Sequence, residues 1–283
     1  MKSAAARPLP RFTGDVEVRP SLVPRPGISH VVFDFDGTLS WVRHGWPEIM
    51  FGVFGRHLPV QDGESAADRT ALFNSIVFGL NGRPTIMQMQ RFAEVVKERT
   101  GEELVPEDLR REFQDELDAE IAARLLSIRS RAVPHDAFVV HAARALLERL
   151  RELGIKPIVL SSTIEHRVRE EAEALDLAQY FGEHIYGSPA DPTSFSKMAV
   201  FQRLLKEEGI QGEHLLSFGD GPVELSSTKE LGGLAIAVCS DEDHNGSGVM
   251  DAFKRRQLLD AGADAALPDF RDAVALVDYL LQK

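Results

Sequence analysis

Val31-Val32-Phe33-Asp34-Phe35-Asp36-Gly37-Thr38-Leu39-Ser40 couples an apolar run to two acids set two residues apart. It reads as a buried strand that delivers both carboxylates at its C-terminal end. Side chains alternate along a strand, so Asp34 and Asp36 project to the same side, separated by roughly 7 Å of backbone at about 3.3 Å per residue. Two such acids repel each other. A fold tolerates the repulsion where a cation, or a reaction that needs one ionised and one protonable carboxylate, uses the pair. Taken alone, the segment also fits a capped turn, in which the acids bond backbone amides and Gly37 supplies a positive φ.

At 283 residues the chain can bury a large core and lies near the length at which one core divides into two. Hydrophobic residues make up 43% and charged residues 27%, and no apolar run approaches the ~20 residues of a membrane span, so a soluble globular protein is expected. The formal charge of -12 is opposite to what neutralising a phosphate backbone requires. Neither nucleic acid nor a membrane is an expected partner. Residues 1–27 are rich in Pro, Arg and Ala but hold no apolar run of the kind a secretory signal needs. They are expected to be a poorly ordered or surface-draped extension of a cytoplasmic protein. Cys239 ends the apolar run Leu234-Ala235-Ile236-Ala237-Val238 and reads as a buried core thiol. The nine histidines show no paired ligand spacing, which gives no support to a zinc site.

From Lys156 onward, short apolar runs alternate with amphipathic stretches, the pattern of βα units and a parallel sheet. Strands are expected at 30–34, 157–161, 184–186, 215–219, 234–239 and 263–267, and helices at 139–153, 165–175, 197–208, 223–231, 249–261 and 270–281. The fold class is therefore α/β, a doubly wound, Rossmann-like parallel sheet. Residues 41–133 break this rhythm and read as an inserted all-helical domain, leaving 28–40 and 134–283 as the α/β core. The clearest inserted helix opens with Pro106, Glu107 and Asp108 and repeats Leu109, Phe113, Leu117, Ile121 and Leu125 as one apolar stripe. Ile86, Met89, Phe92 and Val96 form a second. Both stripes read as packing surface.

Open α/β sheets bind ligands at the C-terminal ends of their strands, so the polar residues just past each apolar run carry the most information. The first end offers Asp34, Asp36 and Thr38. The second, after Ile158-Val159-Leu160, offers Ser161-Ser162-Thr163, suited to an anion or, equally, to capping a helix. Lys197 follows Ser194-Phe195-Ser196 at an expected helix start, where its charge opposes the helix dipole. The fourth end, Leu215-Leu216-Ser217-Phe218-Gly219, delivers Asp220, then Gly221-Pro222 and Glu224. Glu224 also suits a first-turn capping role. Asp220 places a third carboxylate beside Asp34 and Asp36, a cluster suited to an oxygen-seeking divalent cation such as Mg²⁺.

This ordered set, from the Asp34–Ser40 motif through Ser161 and Lys197 to Gly219-Asp220-Gly221-Pro222-Val223-Glu224, resembles the haloacid dehalogenase superfamily, and within it the phosphoglycolate phosphatase-like members. The helical insertion resembles that superfamily's cap placed after the first strand. Glu224 departs from the Asp found in many members, a change that keeps the carboxylate.

The resemblance implies a Mg²⁺-dependent phosphatase that acts on a small phosphorylated metabolite, a sugar phosphate or a phosphoglycolate-like ester. It implies Asp34 as nucleophile, Asp36 as general acid and base, and Ser161 and Lys197 as phosphoryl-binding catalytic groups, with Thr38 and Ser162 also binding phosphate. It implies Mg²⁺ held by Asp34, the Asp36 main-chain carbonyl and Asp220, with Glu224 acting through water or from behind these ligands. Within the insertion, Asn81-Gly82-Arg83-Pro84-Thr85 is the expected substrate contact, with Arg83 meeting an anionic group. Rival readings are a phosphomutase of the beta-phosphoglucomutase type, which passes the phosphoryl group to a second hydroxyl, and a non-catalytic binding protein on the same fold. Intact acids at both Asp34 and Asp36 weigh against the latter. The sequence leaves the oligomeric state open.

Overall fold

The computed structural model describes residues 8–80, 84–189 and 196–283. Its strands are β1 (Glu17–Val18), β2 (His30–Phe33), β3 (Lys156–Ile164), β4 (Ile185–Ser188), β5 (Leu215–Gly219), β6 (Leu234–Val238) and β7 (Ala265–Leu267), joined in one sheet of order β1-β7-β6-β5-β2-β3-β4. All neighbours pair in parallel except β1, which lies antiparallel on the β7 edge. The chain builds outward from β2 to β3 and β4 on one side, then returns to lay β5, β6 and β7 on the other. The order reverses between β2 and β5, the place where open α/β sheets form a crevice beyond their strand ends.

The helices are α1 (Trp46–His57), α2 (Ala66–Val77), α3 (Thr85–Thr100), α4 (Pro106–Arg129), α5 (Ala143–Glu152), α6 (Glu165–Ala174), α7 (Ala178–Phe181), α8 (Lys197–Glu208), α9 (Pro222–Glu230), α10 (Ala252–Asp260) and α11 (Ala273–Leu281). None among the described residues is long and apolar enough to cross a membrane.

Both faces of β2 are buried, as its unbroken apolar run requires in a parallel sheet. Val32 packs with Ile158, Leu160, Leu215 and the α8 residues Phe201 and Leu204. Phe33 points the other way and stacks on Phe218 at 5.4 Å, with Phe270 at 6.2 Å and Phe181 at 6.3 Å. By the same alternation the next residue, Asp34, turns toward α8.

The chain divides into two compact units, one made of the residues up to Val42 with Ser127–Lys283, the other of Arg43–Leu126. The second is helical, and its apolar stripes are buried: Met89, Phe92 and Val96 on α3, and Leu109, Phe113, Leu117, Ile121 and Leu125 on α4. Phe54 of α1 stacks on Phe92 with ring centres 3.9 Å apart.

Three local features differ from the sequence reading. Within 1–27, expected as a poorly ordered or surface-draped extension, Glu17 and Val18 pair with Ala266 and Ala265, and Asp272 accepts the Thr13 and Gly14 amides. These bonds cover the β7 edge, which would otherwise be open. The helix expected from 139 begins at Ala143, because Val140 donates its amide to Leu39 and Val139 bridges Ser40, which holds that segment extended. β3 runs three residues past Ser161, to Ile164.

Candidate active site

The Asp34 amide donates to the Phe218 carbonyl at 3.0 Å, so the β2–β5 ladder continues one residue past β2 and fixes the backbone that carries the acid. Asp34 Oδ1 accepts the Phe35 amide at 2.9 Å, and Oδ2 lies 3.1 Å from Lys197 Nζ. That ammonium also donates to Glu224 Oε2 at 3.1 Å. Lys197 is the first residue of α8, a helix capped by the Ser196 hydroxyl, and it is buried. The unfavourable position against the helix dipole is thus offset by two carboxylates. Glu224 Oε1 accepts the Gly221 amide at 2.6 Å, so one side chain caps α9 and answers Lys197.

The turn after Asp34 is shaped by a close approach. Gly37 has φ of 71°, and a Cβ there would lie 2.1 Å from Asp220 Oδ2. Only glycine admits both that backbone and that neighbour. Asp36 is held by two hydroxyls of β3, Thr163 Oγ1 at 2.7 Å and Ser161 Oγ at 3.5 Å, both directed to Oδ2.

Asp34, Asp220 and Glu224 each offer a carboxylate oxygen within 4.8 Å of the others. Their electrostatics follow from crowding in a dry place. Burial pushes the Asp34 carboxyl well above the usual range; Lys197 opposes this, and Glu224, Asp220 and Asp36 add to it. Burial also lifts Asp220, to about 6, against the pull of Lys254 and with the push of Glu224 and Glu242. For Lys197, burial works against the charge, but Asp34 and Glu224 outweigh it and raise the ammonium above its ordinary value. Glu224 is pushed up by burial yet ends below its ordinary value through Lys197 and its hydrogen bonds. Three hard oxygen donors left short of positive charge make a donor set that fits Mg²⁺.

The fold sets the other two expected phosphate-binding hydroxyls in different surroundings. Thr38 is fully buried and its hydroxyl donates to Asp220 Oδ1 at 3.2 Å. Ser162 is exposed, because strand alternation that turns Ser161 and Thr163 to Asp36 turns the residue between them away. Arg83, with Asn81 and Gly82, lies outside the described residues, as do Ser194 and Phe195.

Other groups at the site escape a sequence reading. Thr163 belongs to the hydroxyl cluster, but its bond to Asp36 depends on β3 continuing past Ser161. Lys254, from α10, reaches Asp220 Oδ2 at 3.3 Å, contacts Glu242 and donates to Ser240 Oγ at 3.1 Å. Ser240 in turn donates to the Gly37 carbonyl at 2.9 Å. Cys239, beside this group, is buried, and burial pushes its thiol up to about 12, in keeping with a core role.

A model of the haloacid dehalogenase-like hydrolase family matches residues 28–232. Among solved structures, a predicted phosphoglycolate phosphatase from Haemophilus somnus 129PT is 18% identical with a TM-score of 0.57, covering 88% of this chain and 97% of its own. A haloacid dehalogenase-like protein from Agrobacterium tumefaciens C58 is 16% identical with a TM-score of 0.60, covering 88% and 97%. A HAD family hydrolase from Deinococcus radiodurans R1, with bound phosphate and sodium, is 16% identical with a TM-score of 0.59, covering 90% and 98%. At these identities the likeness is one of fold. No curated protein matches the chain.

Proposed function

The chain belongs to the haloacid dehalogenase-like hydrolase family, and from that premise we propose that it is a Mg²⁺-dependent phosphatase of small phosphomonoesters, working through an aspartyl-phosphate on Asp34. The observation that carries this reading is the division of labour between two neighbouring acids. Asp34 is gripped on both oxygens, Oδ1 by the Phe35 amide and Oδ2 beside the Lys197 ammonium, and Asp36 Oδ2 accepts from the Thr163 hydroxyl with the Ser161 hydroxyl also directed to it. An acid held on both oxygens is oriented for in-line attack, and a second acid that accepts hydroxyl hydrogen bonds two residues along the same turn is placed to pass a proton to or from the departing oxygen.

In the first step an Asp34 oxygen forms a bond to phosphorus as the ester P–O bond breaks, and Asp36 gives its proton to the departing oxygen. In the second, Asp36 takes a proton from water, the water oxygen bonds to phosphorus, and the Asp34–phosphorus bond breaks to release phosphate. Lys197 screens the negative charge of the incoming phosphoryl group from Asp34 and Glu224. Asp34, Asp220 and the Asp36 main-chain carbonyl would hold Mg²⁺, with Glu224 beside them. The bound ion supplies Lewis-acid stabilisation of phosphoryl charge. A sugar phosphate or a phosphoglycolate-like ester is the substrate class in view.

The test is release of inorganic phosphate from a panel of such esters with Mg²⁺, beside EDTA-treated protein and Asp34→Asn. Release that needs metal and disappears in Asp34→Asn is the expected result. Undiminished release by Asp34→Asn would overturn the nucleophile. Isomerised phosphosugar without free phosphate would identify a phosphomutase instead.

A further inference from the structure

We infer that Lys254 is the positioning residue for the metal-binding carboxylate Asp220 and for the turn that follows Asp34. The inference rests on the reading of Asp220 as a metal ligand given above. Lys254 lies beyond residue 232, where the family match ends.

Lys254 is the third residue of α10, and its amide donates to the Asp251 cap at 2.7 Å. A cation in the first turn of a helix gains nothing from the dipole. This one is also buried, next to the apolar cluster of Cys239, Met250, Leu258 and Leu259. Such a placement is costly unless the ammonium is fully partnered. It is: its three donors meet Asp220 Oδ2, Glu242 Oε1 and Ser240 Oγ. The first partner fixes one oxygen of Asp220 while Thr38 fixes the other, so the carboxylate plane cannot rotate freely. The third, Ser240, holds the carbonyl of Gly37, the residue whose backbone lies against that same Asp220 oxygen. One ammonium therefore spaces the β5 acid from the β2 turn. Partners that orient a metal ligand from behind typically cost 10–100-fold in metal affinity when removed.

The test is Mn²⁺ binding, read by electron paramagnetic resonance of the free ion, on the full chain without substrate. Lys254→Met should weaken the dissociation constant by about 10-fold or more. Lys254→Arg should restore part of it, and Ser240→Ala should show a smaller loss in the same direction. At saturating metal, the KM for a phosphomonoester should stay at the wild-type value, since the Lys254 ammonium is buried against Asp220, Glu242 and Ser240. Lys254→Met protein that unfolds at lower temperature yet binds Mn²⁺ as the wild type does would reduce Lys254 to a packing role and overturn the inference. Tighter Mn²⁺ binding would overturn it too, by showing that the ammonium opposes the cation. If Lys254→Met does not fold, Ser240→Ala and Lys254→Arg decide, and unchanged affinity in both refutes it. Wild-type protein that binds no Mn²⁺ would instead bring down the metal-dependent phosphatase reading, and this inference with it; binding by wild type but not by Asp220→Asn keeps the two failures apart.

Discussion

Replacing Gly37 with alanine should separate catalysis from folding. The substitution adds one methyl group where the backbone has φ of 71° and where Asp220 Oδ2 lies 2.1 Å from the new Cβ. An ordinary contact begins near 3.4 Å, so Asp220 must retreat by about 1.3 Å (3.4 less 2.1) or the turn must open by as much. Left-handed backbone costs a residue with a Cβ roughly 1–2 kcal/mol. In a chain of this size that lowers Tm by about 2–8 °C, leaving a folded protein. Catalysis suffers more, because a displacement of about 1 Å at a reacting centre costs on the order of 100-fold, or about 2.7 kcal/mol of transition-state stabilisation. Phosphate release measured over a range of Mg²⁺ concentrations, beside thermal unfolding, reads both quantities. Gly37→Ala protein with wild-type kcat/KM and an unchanged Mg²⁺ requirement would show that the Gly37–Asp220 approach does not set the site geometry.

Two further outcomes follow from the same contacts. Thr163→Val removes the nearer hydroxyl from Asp36 at nearly constant volume and should lower kcat about 10-fold, a part of the roughly 10²–10⁴-fold that a general acid–base group contributes, while the fold stays intact; kcat equal to wild type would mean that Asp36 is not oriented from β3. In EDTA, Asp220 has its folded value raised to about 6 from 3.8, so the folded state holds the proton more tightly than the unfolded chain. The stability it contributes is full below about pH 3.8 and is lost as pH rises through about 6. The Tm of wild type relative to Asp220→Asn should therefore fall across that window, and a flat difference would contradict the assignment.

Asp34, Asp220 and Lys197 are legible in the sequence because each stands just past an apolar run or at a helix start, positions that the topology of an open sheet brings to one crevice. Burial is what the sequence withholds. Lys254 sits in Phe253-Lys254-Arg255-Arg256, a run that reads as a solvated helix face, and only the packing of α10 beside β6 and β7 encloses it. Thr38 looks like a free hydroxyl beside a phosphate until the fold sets Asp220 against it. Two residues, Glu17 and Val18, carry too little periodicity to announce a strand, and their pairing depends on an edge formed at the other end of the chain. The inserted helices are legible where the apolar stripe is long, as on α4, and less so on α1, which Phe54 ties to Phe92 of α3 through a stacking no spacing rule encodes.

The β1–β7 pairing also bears on how the chain is made. Val18 leaves the ribosome long before its partner Ala265, 247 residues later. At about 5–20 residues per second, roughly 12–50 seconds of synthesis separate the two. β2 waits in the same way for Lys156 and Leu215, its partners on either side. The strand that leads into Asp34 thus stays without a strand partner until 126 further residues, from His30 to Lys156, have followed, and it gains its second partner only 59 residues after that, at Leu215. During that interval Val31-Val32-Phe33 has no strand on either side, and late non-local pairing of this kind leaves an apolar segment open to the wrong neighbours while the chain is made.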